Sequence, residues 1–238
     1  MCVDVIVLAG DIHVGDRAAR EAVALSERFP CADIVWIAGN HEFYRRDIDD
    51  QLKAYRSVSA DHPRVHFLED ESVEIRGVTF LGCVLWTDFS LLGEPDRSIA
   101  LADRVINDFY LIKTAQGRQL TAQDAELRFQ TSRSFLEEAL SMCEPDQTVV
   151  VTHFAPGLET VSQNFDLSDI TPYFQADVID LIDRYQPSHW IFGHNHYSND
   201  LMRGRTRLIS NQGGYPSELG TIPAYDPTRV VVVDGGTP

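Results

Sequence analysis

The sequence contains no apolar run that approaches the roughly 20 residues of a membrane-spanning helix, which predicts no membrane span. Its first ten residues also lack a basic segment, so they do not resemble a secretory signal. Basic residues are scarce throughout, because 20 Lys and Arg stand against 36 Asp and Glu, a formal net charge of −16. So large an acidic excess argues against a surface for nucleic acid or for anionic membranes.

Cysteine is also scarce, and the spacing of the cysteines does not indicate a disulfide framework. The four cysteines sit in or beside apolar runs with no paired spacing: Cys2, Cys31, Cys83 and Cys143. This pattern is typical of reduced, buried thiols rather than of disulfides. Together with the absence of a recognisable leader, it predicts a cytoplasmic protein.

No internal repeat, low-complexity tract or long Gly/Ser linker interrupts the chain. A length of 238 residues with 44% hydrophobic content is enough to bury a substantial core. The simplest interpretation is a single domain over residues 1–238.

Short runs rich in Val and Ile alternate with segments of helical periodicity. The runs predict buried strands at 4–10, 32–39, 78–86, 148–153, 189–193, 206–211 and 229–234. Helices are predicted at 16–28, with Asp16 as the N-cap, and at 124–143 and 176–185. The alternation predicts an α/β fold, and the strand-rich last third favours a mixed or two-sheet arrangement. Residues 88–122 are less periodic and are predicted to form a long connection that caps a site.

Side chains of the kinds that bind metals follow four of these strands, directly where each strand ends. They are Asp11 after the first strand, Asn40, His41 and Glu42 after the second, His153 after the fourth, and His194 and His196 after the fifth. Ligands of α/β sheets bind just outside the carboxyl ends of strands. Any one motif could be a packed histidine or a simple turn, but four together favour a metal site. Imidazole, carboxylate and amide oxygen suit divalent Mn, Fe, Co, Ni or Zn.

The motifs GD, GNHE, VVVTHFAP and IFGHNH, in this order, resemble those of the calcineurin-like metallophosphoesterase superfamily. LWTDF at 85–89 and SNQGGYP at 210–216 are similar to its small bacterial members. The resemblance covers nearly the whole chain. It implies a two-sheet α/β sandwich flanked by helices, a dinuclear centre of divalent metal ions, and hydrolysis of a phosphate monoester or diester by metal-activated water.

The resemblance also implies a role for each site residue. Asp11 would bridge two metal ions, and Asn40, His153 and His194 would bind one of them, whereas His196 would bind the other. His41 would act as the catalytic residue that protonates the leaving group or stabilises charge near the phosphate, and both Asn40 and His41 would contact the substrate. Glu42 would orient the His41 ring.

One family motif is missing, the D-x-H that follows the family's first strand. The letters DIH at 11–13 look like it, but one strand–helix–strand step separates Asp11 from Asn40, which is the spacing expected of the second motif. The chain is therefore expected to begin after the first strand, with one metal site complete and the other reduced to Asp11 and His196. His13 as a replacement ligand is the less favoured alternative.

Two further interpretations stay open. One is a catalytically impaired phosphoesterase fold that serves as a binding or scaffold protein, and the other is a metal-dependent hydrolase of a different class, such as an amidohydrolase. The expected partner is a small phosphorylated substrate, since a metal charge can outweigh the acidic surface within a site. A missing edge strand also leaves pairing with another chain open. The motifs identify neither the substrate nor the metal.

Overall fold

The computed structural model describes residues 3–162, 166–218 and 225–233. It contains two β-sheets with helices around them. The first sheet has three parallel strands in the order β1–β2–β3. These strands are β1 (Val5–Ala9), β2 (Asp33–Ile37) and β3 (Val65–Phe67), connected by α1 (Asp16–Arg28) and α2 (Ile48–Asp61).

The second sheet has six strands in the order β4–β5–β6–β7–β9–β8. They are β4 (Glu71–Ile75), β5 (Val78–Cys83), β6 (Thr148–Thr152), β7 (His189–Ile191), β8 (Asp200–Arg203) and β9 (Thr206–Ile209). The four central strands are parallel, and β4 and β8 pair antiparallel at the two edges. The remaining helices are α3 (Pro95–Val105), α4 (Asp108–Leu111), α5 (Ala122–Met142) and α6 (Ile179–Tyr185).

The two sheets share a layer of apolar side chains. Successive side chains of a strand point to opposite faces, so alternate residues of β2 and β6 enter different clusters. Val35 and Val149 join the cluster between the sheets, whereas Trp36 and Val150 join the larger core under the helices. Strands buried on both faces explain why the Val- and Ile-rich runs were continuous rather than alternating. The predicted two-sheet α/β fold is confirmed.

The three predicted helices exist; the first has the predicted bounds, and the other two have shifted ends. The first spans Asp16–Arg28, but its N-cap is Gly15, so the prediction of Asp16 as N-cap is wrong. Gly15 has a φ of 58°, in the left-handed region that favours glycine, and its N–H donates to the carbonyl of Glu42. The second begins at Ala122 because Thr121 and Asp124 form a reciprocal capping box.

Two further predictions concern residues 88–122 and the last strand. Residues 88–122, predicted as a long connection of low periodicity, contain the two helices α3 and α4, and their role as a cap over a site stays a prediction. The strand predicted at 229–234 does not form over the described residues 229–233, and Asp234 lies outside the described residues. Its Val-rich run pairs with no strand in the described part of the chain, and Val232 is 80% exposed.

The cysteine prediction holds in part. Cys31, Cys83 and Cys143 are free thiols, but Cys31 is exposed and Cys143 is half-buried, so only Cys83 is a buried cysteine as expected. Cys2 lies outside the described residues.

Two further expectations concern the chain as a whole. Among the helices that the structure describes, none is long and apolar enough to cross a membrane. Strand β1 pairs with β2 on one side and has no strand on its other side within the described ranges. The absent first strand stays a prediction.

Candidate metal centre

Four predicted ligands meet where the two sheets end. Asp11 follows β1, Asn40 follows β2, His153 follows β6 and His194 follows β7 by three residues. One ligand atom each of Asp11, His153 and His194 lies within 4.8 Å of the other two. Asn40 joins this group, because its Oδ1 is 3.1 Å from Nε2 of His153. We call these four residues the ligand cluster.

Glycines before the ligands allow this close approach. A Cβ added at Gly39 would lie 2.2 Å from Oδ1 of Asp11, and one added at Gly10 would lie 2.5 Å from Nδ1 of His153. Gly10 also has a φ of 82°, which a larger side chain would strain. Both positions therefore need glycine for the cluster to assemble.

His153 is held so that one ring nitrogen is free for a ligand role. Its Nδ1 lies 2.8 Å from the carbonyl oxygen of Ala9, so Nδ1 carries the proton and donates it there. Its Nε2 then faces Oδ1 of Asn40 at 3.1 Å and Oδ1 of Asp11 at 3.5 Å. Burial disfavours the protonated ring, but the Asp11 carboxylate raises the pKa of His153 above its usual value. Oxygen and nitrogen lone pairs that converge in this way suit a cation.

His194 is buried, and its Nε2 has no hydrogen-bond partner among the residues that the structure describes. The ring stacks on Phe154 with 4.0 Å between centroids, so apolar contacts hold it in place. Burial lowers the pKa of His194 well below its usual value, and nearby His153 adds to the effect. A neutral, buried and unpartnered imidazole is the state that metal ions bind.

Asp11 supplies the negative charge of the ligand cluster. Burial opposes its ionisation, but His153, His41 and His194 together lower the pKa of Asp11 below its usual range. Its Oδ1 also accepts the backbone N–H of His41 at 3.0 Å. Carboxylate, two imidazoles and an amide oxygen form a donor set that fits a divalent first-row metal.

The carboxylate of Glu42 joins the loops after β1 and β2. It is fully buried and accepts four backbone N–H groups, from Gly39 at 2.7 Å, Asp11 at 2.8 Å, Ile12 at 2.7 Å and His13 at 3.1 Å. The expectation that Glu42 orients the His41 ring is therefore wrong, because its hydrogen bonds go to backbone instead. Glu42 fixes the positions of the ligand-bearing loops.

His41 lies at the rim of the ligand cluster. Its side chain is 27% exposed, and Nε2 is 4.0 Å from Oδ2 of Asp11. The ring stacks on Tyr44 at 4.4 Å, and Nε2 is 3.3 Å from the hydroxyl of Tyr215. A partly exposed imidazole beside the cluster can exchange a proton with a bound molecule.

Two histidines that the sequence offered as candidate metal ligands lie outside the ligand cluster. His196 has its Nδ1 2.8 Å from Oε2 of Glu218, and its ring contacts that of Tyr215 at 4.6 Å. His13 has a buried Nδ1 that no described residue contacts by a hydrogen bond. Neither belongs to the group of Asp11, His153 and His194. The role of His196 as a ligand of a second metal stays a prediction, and His13 as a replacement ligand stays the less favoured alternative.

Sequence reasoning missed two residues that contact the site. Tyr215 reaches His41 and His196, and the stretch SNQGGYP at 210–216 was a usable signal for it. Asp108 accepts a hydrogen bond from Nδ2 of Asn40 at 3.0 Å, across 68 residues of sequence. Nothing in the local sequence distinguishes this aspartate from a surface one.

Comparisons with known proteins agree with this geometry. A family model described as calcineurin-like phosphoesterase matches residues 2–198. The protein L509 of Acanthamoeba polyphaga mimivirus is 24% identical over 207 residues, which are 81% of this chain and 71% of that protein. The crystal structure of phosphopantetheinyl hydrolase PptH from Mycobacterium tuberculosis superposes with a TM-score of 0.69 at 20% identity, over 97% of this chain and 89% of that one. At that identity the likeness shows the shared fold.

Proposed function

The chain belongs to the calcineurin-like phosphoesterase family, and we propose that it hydrolyses a phosphate monoester or diester with a divalent metal ion held by its ligand cluster. The observation that carries the proposal is the buried Nε2 of His194, which has no hydrogen-bond partner in the described part of the chain and belongs to a residue whose ligand atom lies within 4.8 Å of those of Asp11 and His153. A buried polar atom without a partner is costly unless something binds it. Family members of this kind are hydrolases, and the donor set here is one that Mn, Fe, Co, Ni or Zn would accept.

The residues around the ligand cluster divide the chemical work. A bound divalent ion supplies Lewis acidity and lowers the pKa of a water molecule to about 7. Asp11, Asn40, His153 and His194 would hold the ion. His41 would bind the phosphate and give a proton to the leaving oxygen, since it is exposed to solvent beside Asp11. The substrate would be a small phosphorylated molecule. The chain would form a single domain over residues 1–238 and act in the cytoplasm.

The test is hydrolysis of p-nitrophenyl phosphate and bis(p-nitrophenyl) phosphate by chelator-treated protein reloaded with Mn²⁺. We expect His194→Gln to lose both metal binding and hydrolysis. His62→Gln is the matched control, because His62 is hydrogen-bonded to the carbonyl of Val58 and lies outside the ligand cluster. Equal hydrolysis by wild type and His194→Gln would overturn the proposal.

A second candidate function is ligand binding without turnover. The position of His196 favours it, because its Nδ1 contacts Glu218 and the residue is not in the ligand cluster. A centre with one metal lacks the two-metal clamp that such hydrolysis uses. Tight Mn²⁺ binding without measurable hydrolysis of either substrate would support this candidate over the first.

A further inference from the structure

The carboxylate of Asp108 is the meeting point of three side chains of the site. Asp108 begins α4 and is 1% exposed. Its Oδ1 accepts from Nδ2 of Asn40 at 3.0 Å and from the hydroxyl of Tyr44 at 2.8 Å, and its Oδ2 accepts from the hydroxyl of Tyr173. A buried carboxylate is tolerated only when such donors satisfy it, so all three are held in fixed directions.

The hydrogen bond to Asp108 sets which end of the Asn40 amide enters the ligand cluster. Because Nδ2 donates to Asp108, Oδ1 must face the other way, where it lies 3.1 Å from Nε2 of His153. A carboxylate can only accept, so it excludes the flipped amide. The flipped amide would present its NH₂ group to the cluster, and that group has no lone pair to offer a cation.

The two tyrosines connect Asp108 to two of the three histidines of the site, His41 and His194. The ring of Tyr44 stacks on that of His41 at 4.4 Å. The ring of Tyr173 meets that of His194 edge to face at 5.4 Å. One carboxylate therefore anchors the aromatic rings against which two histidines pack.

We propose that Asp108 is a positioning residue for metal binding, acting by holding the oxygen of the Asn40 amide toward the ligand cluster. The proposal rests on the proposed function, since it concerns the same site. Among the ligand cluster, Asp108 is hydrogen-bonded to Asn40, so its effect on the metal site passes through that amide.

The direct test is calorimetric titration of Mn²⁺ into the metal-free full chain. Asp108→Asn introduces an NH₂ group that can satisfy a flipped Asn40 amide, so we expect its dissociation constant for Mn²⁺ to rise roughly 10–100-fold. Asp103→Asn is the matched control, because Asp103 lies on α3 and its carboxylate accepts the backbone N–H of Ala122 at 2.8 Å, away from the ligand cluster. It should bind Mn²⁺ as wild type does.

An exchange of the two side chains separates positioning from a general loss of structure. Asn40→Asp alone places two carboxylates at a contact that is now 3.0 Å, so it should also bind Mn²⁺ weakly. The double variant Asn40→Asp/Asp108→Asn restores a donor and an acceptor with the ligand oxygen retained. We expect the double variant to bind Mn²⁺ with a dissociation constant at least about tenfold lower than that of Asn40→Asp.

The outcomes distinguish the two proposals. Wild type that binds no Mn²⁺ overturns the proposed function together with this one. Wild type that binds, with Asp108→Asn binding equally well, overturns the role of Asp108 alone. If circular dichroism shows that metal-free Asp108→Asn does not fold, the exchange decides: a double variant no tighter than Asn40→Asp also overturns it.

Discussion

The stability of this protein should depend on pH through a buried glutamate far from the ligand cluster in sequence. Glu69 is 7% exposed, and its Oε2 accepts the backbone N–H of Val84 at 2.9 Å. The carbonyl of Val84 in turn accepts the backbone N–H of His153 at 3.3 Å, so Glu69 supports the strand exit that carries a predicted ligand. Burial, and the charge of neighbouring Asp70, raise the pKa of Glu69 to about 8 from 4.5.

The sign of the effect follows from linkage. A carboxyl whose pKa is raised on folding binds more protons in the native state than in the unfolded state between the two pKa values. Its stabilising contribution is therefore complete below about pH 4.5 and is lost as the pH rises through about 8. The slope is about 1.4 kcal/mol per pH unit, and the whole change is at most about 5 kcal/mol.

Glu69→Gln isolates this contribution, because glutamine keeps an acceptor for Val84 and cannot ionise. The assay is urea unfolding of metal-free wild type and variant from pH 5.5 to 8.5. We expect the variant to gain stability relative to wild type by at most about 1.4 kcal/mol per pH unit, up to a plateau near pH 8. The amide N–H of the new glutamine changes the free energy of unfolding by an amount that does not depend on pH. Glu74→Gln, at an exposed position of β4, is the matched control and should show no such trend. A constant difference between Glu69→Gln and wild type at every pH would refute the reasoning.

Three other predictions concern the ligand cluster. Gly39→Ala should weaken Mn²⁺ binding at least roughly tenfold in calorimetry, because the new Cβ would lie 2.2 Å from Oδ1 of Asp11. Gly213→Ala, with no atom within 4 Å of its Cβ, should not. Tyr215→Phe removes the hydroxyl 3.3 Å from His41, so kcat/KM should fall about 2–10-fold while Mn²⁺ affinity stays unchanged; a loss of affinity would place Tyr215 among the metal-binding groups instead. Chelation should lower the free energy of unfolding by about 2.7 kcal/mol relative to protein at 100 times its dissociation constant of Mn²⁺, measured by denaturant titration.

Sequence periodicity was a good guide to the centre of the molecule. Residues at the ends of parallel strands must meet at one edge of the fold, and Asp11, Asn40, His153 and His194 do. Periodicity predicted less about the residues that follow the strand ends. His194 and His196 both have positive φ values, 69° and 49°, so a strand pattern could not indicate where their side chains go.

Long-range partners could not be predicted from the local sequence at all. The contact of Asp108 with Asn40 depends on how α4 packs, which no periodicity in residues 88–122 encodes. The strand expected at 229–234 shows the converse, because there the local sequence gives a strand signal that the tertiary structure does not use. Its composition favours a strand, but a strand needs a neighbour to pair with, and the exposed side chain of Val232 marks a run without one in the described structure.

The four hydrogen bonds of Glu42 have a consequence for metal uptake. They connect the backbone of residues 11–13 with that of Gly39. The two loops that carry ligands therefore behave as one rigid unit. A site built in this way exists before the ion arrives, and little ordering entropy is lost on loading. Uptake should then resemble entry into a finished cavity, with backbone amide exchange at residues 11–13 already slow in the metal-free protein.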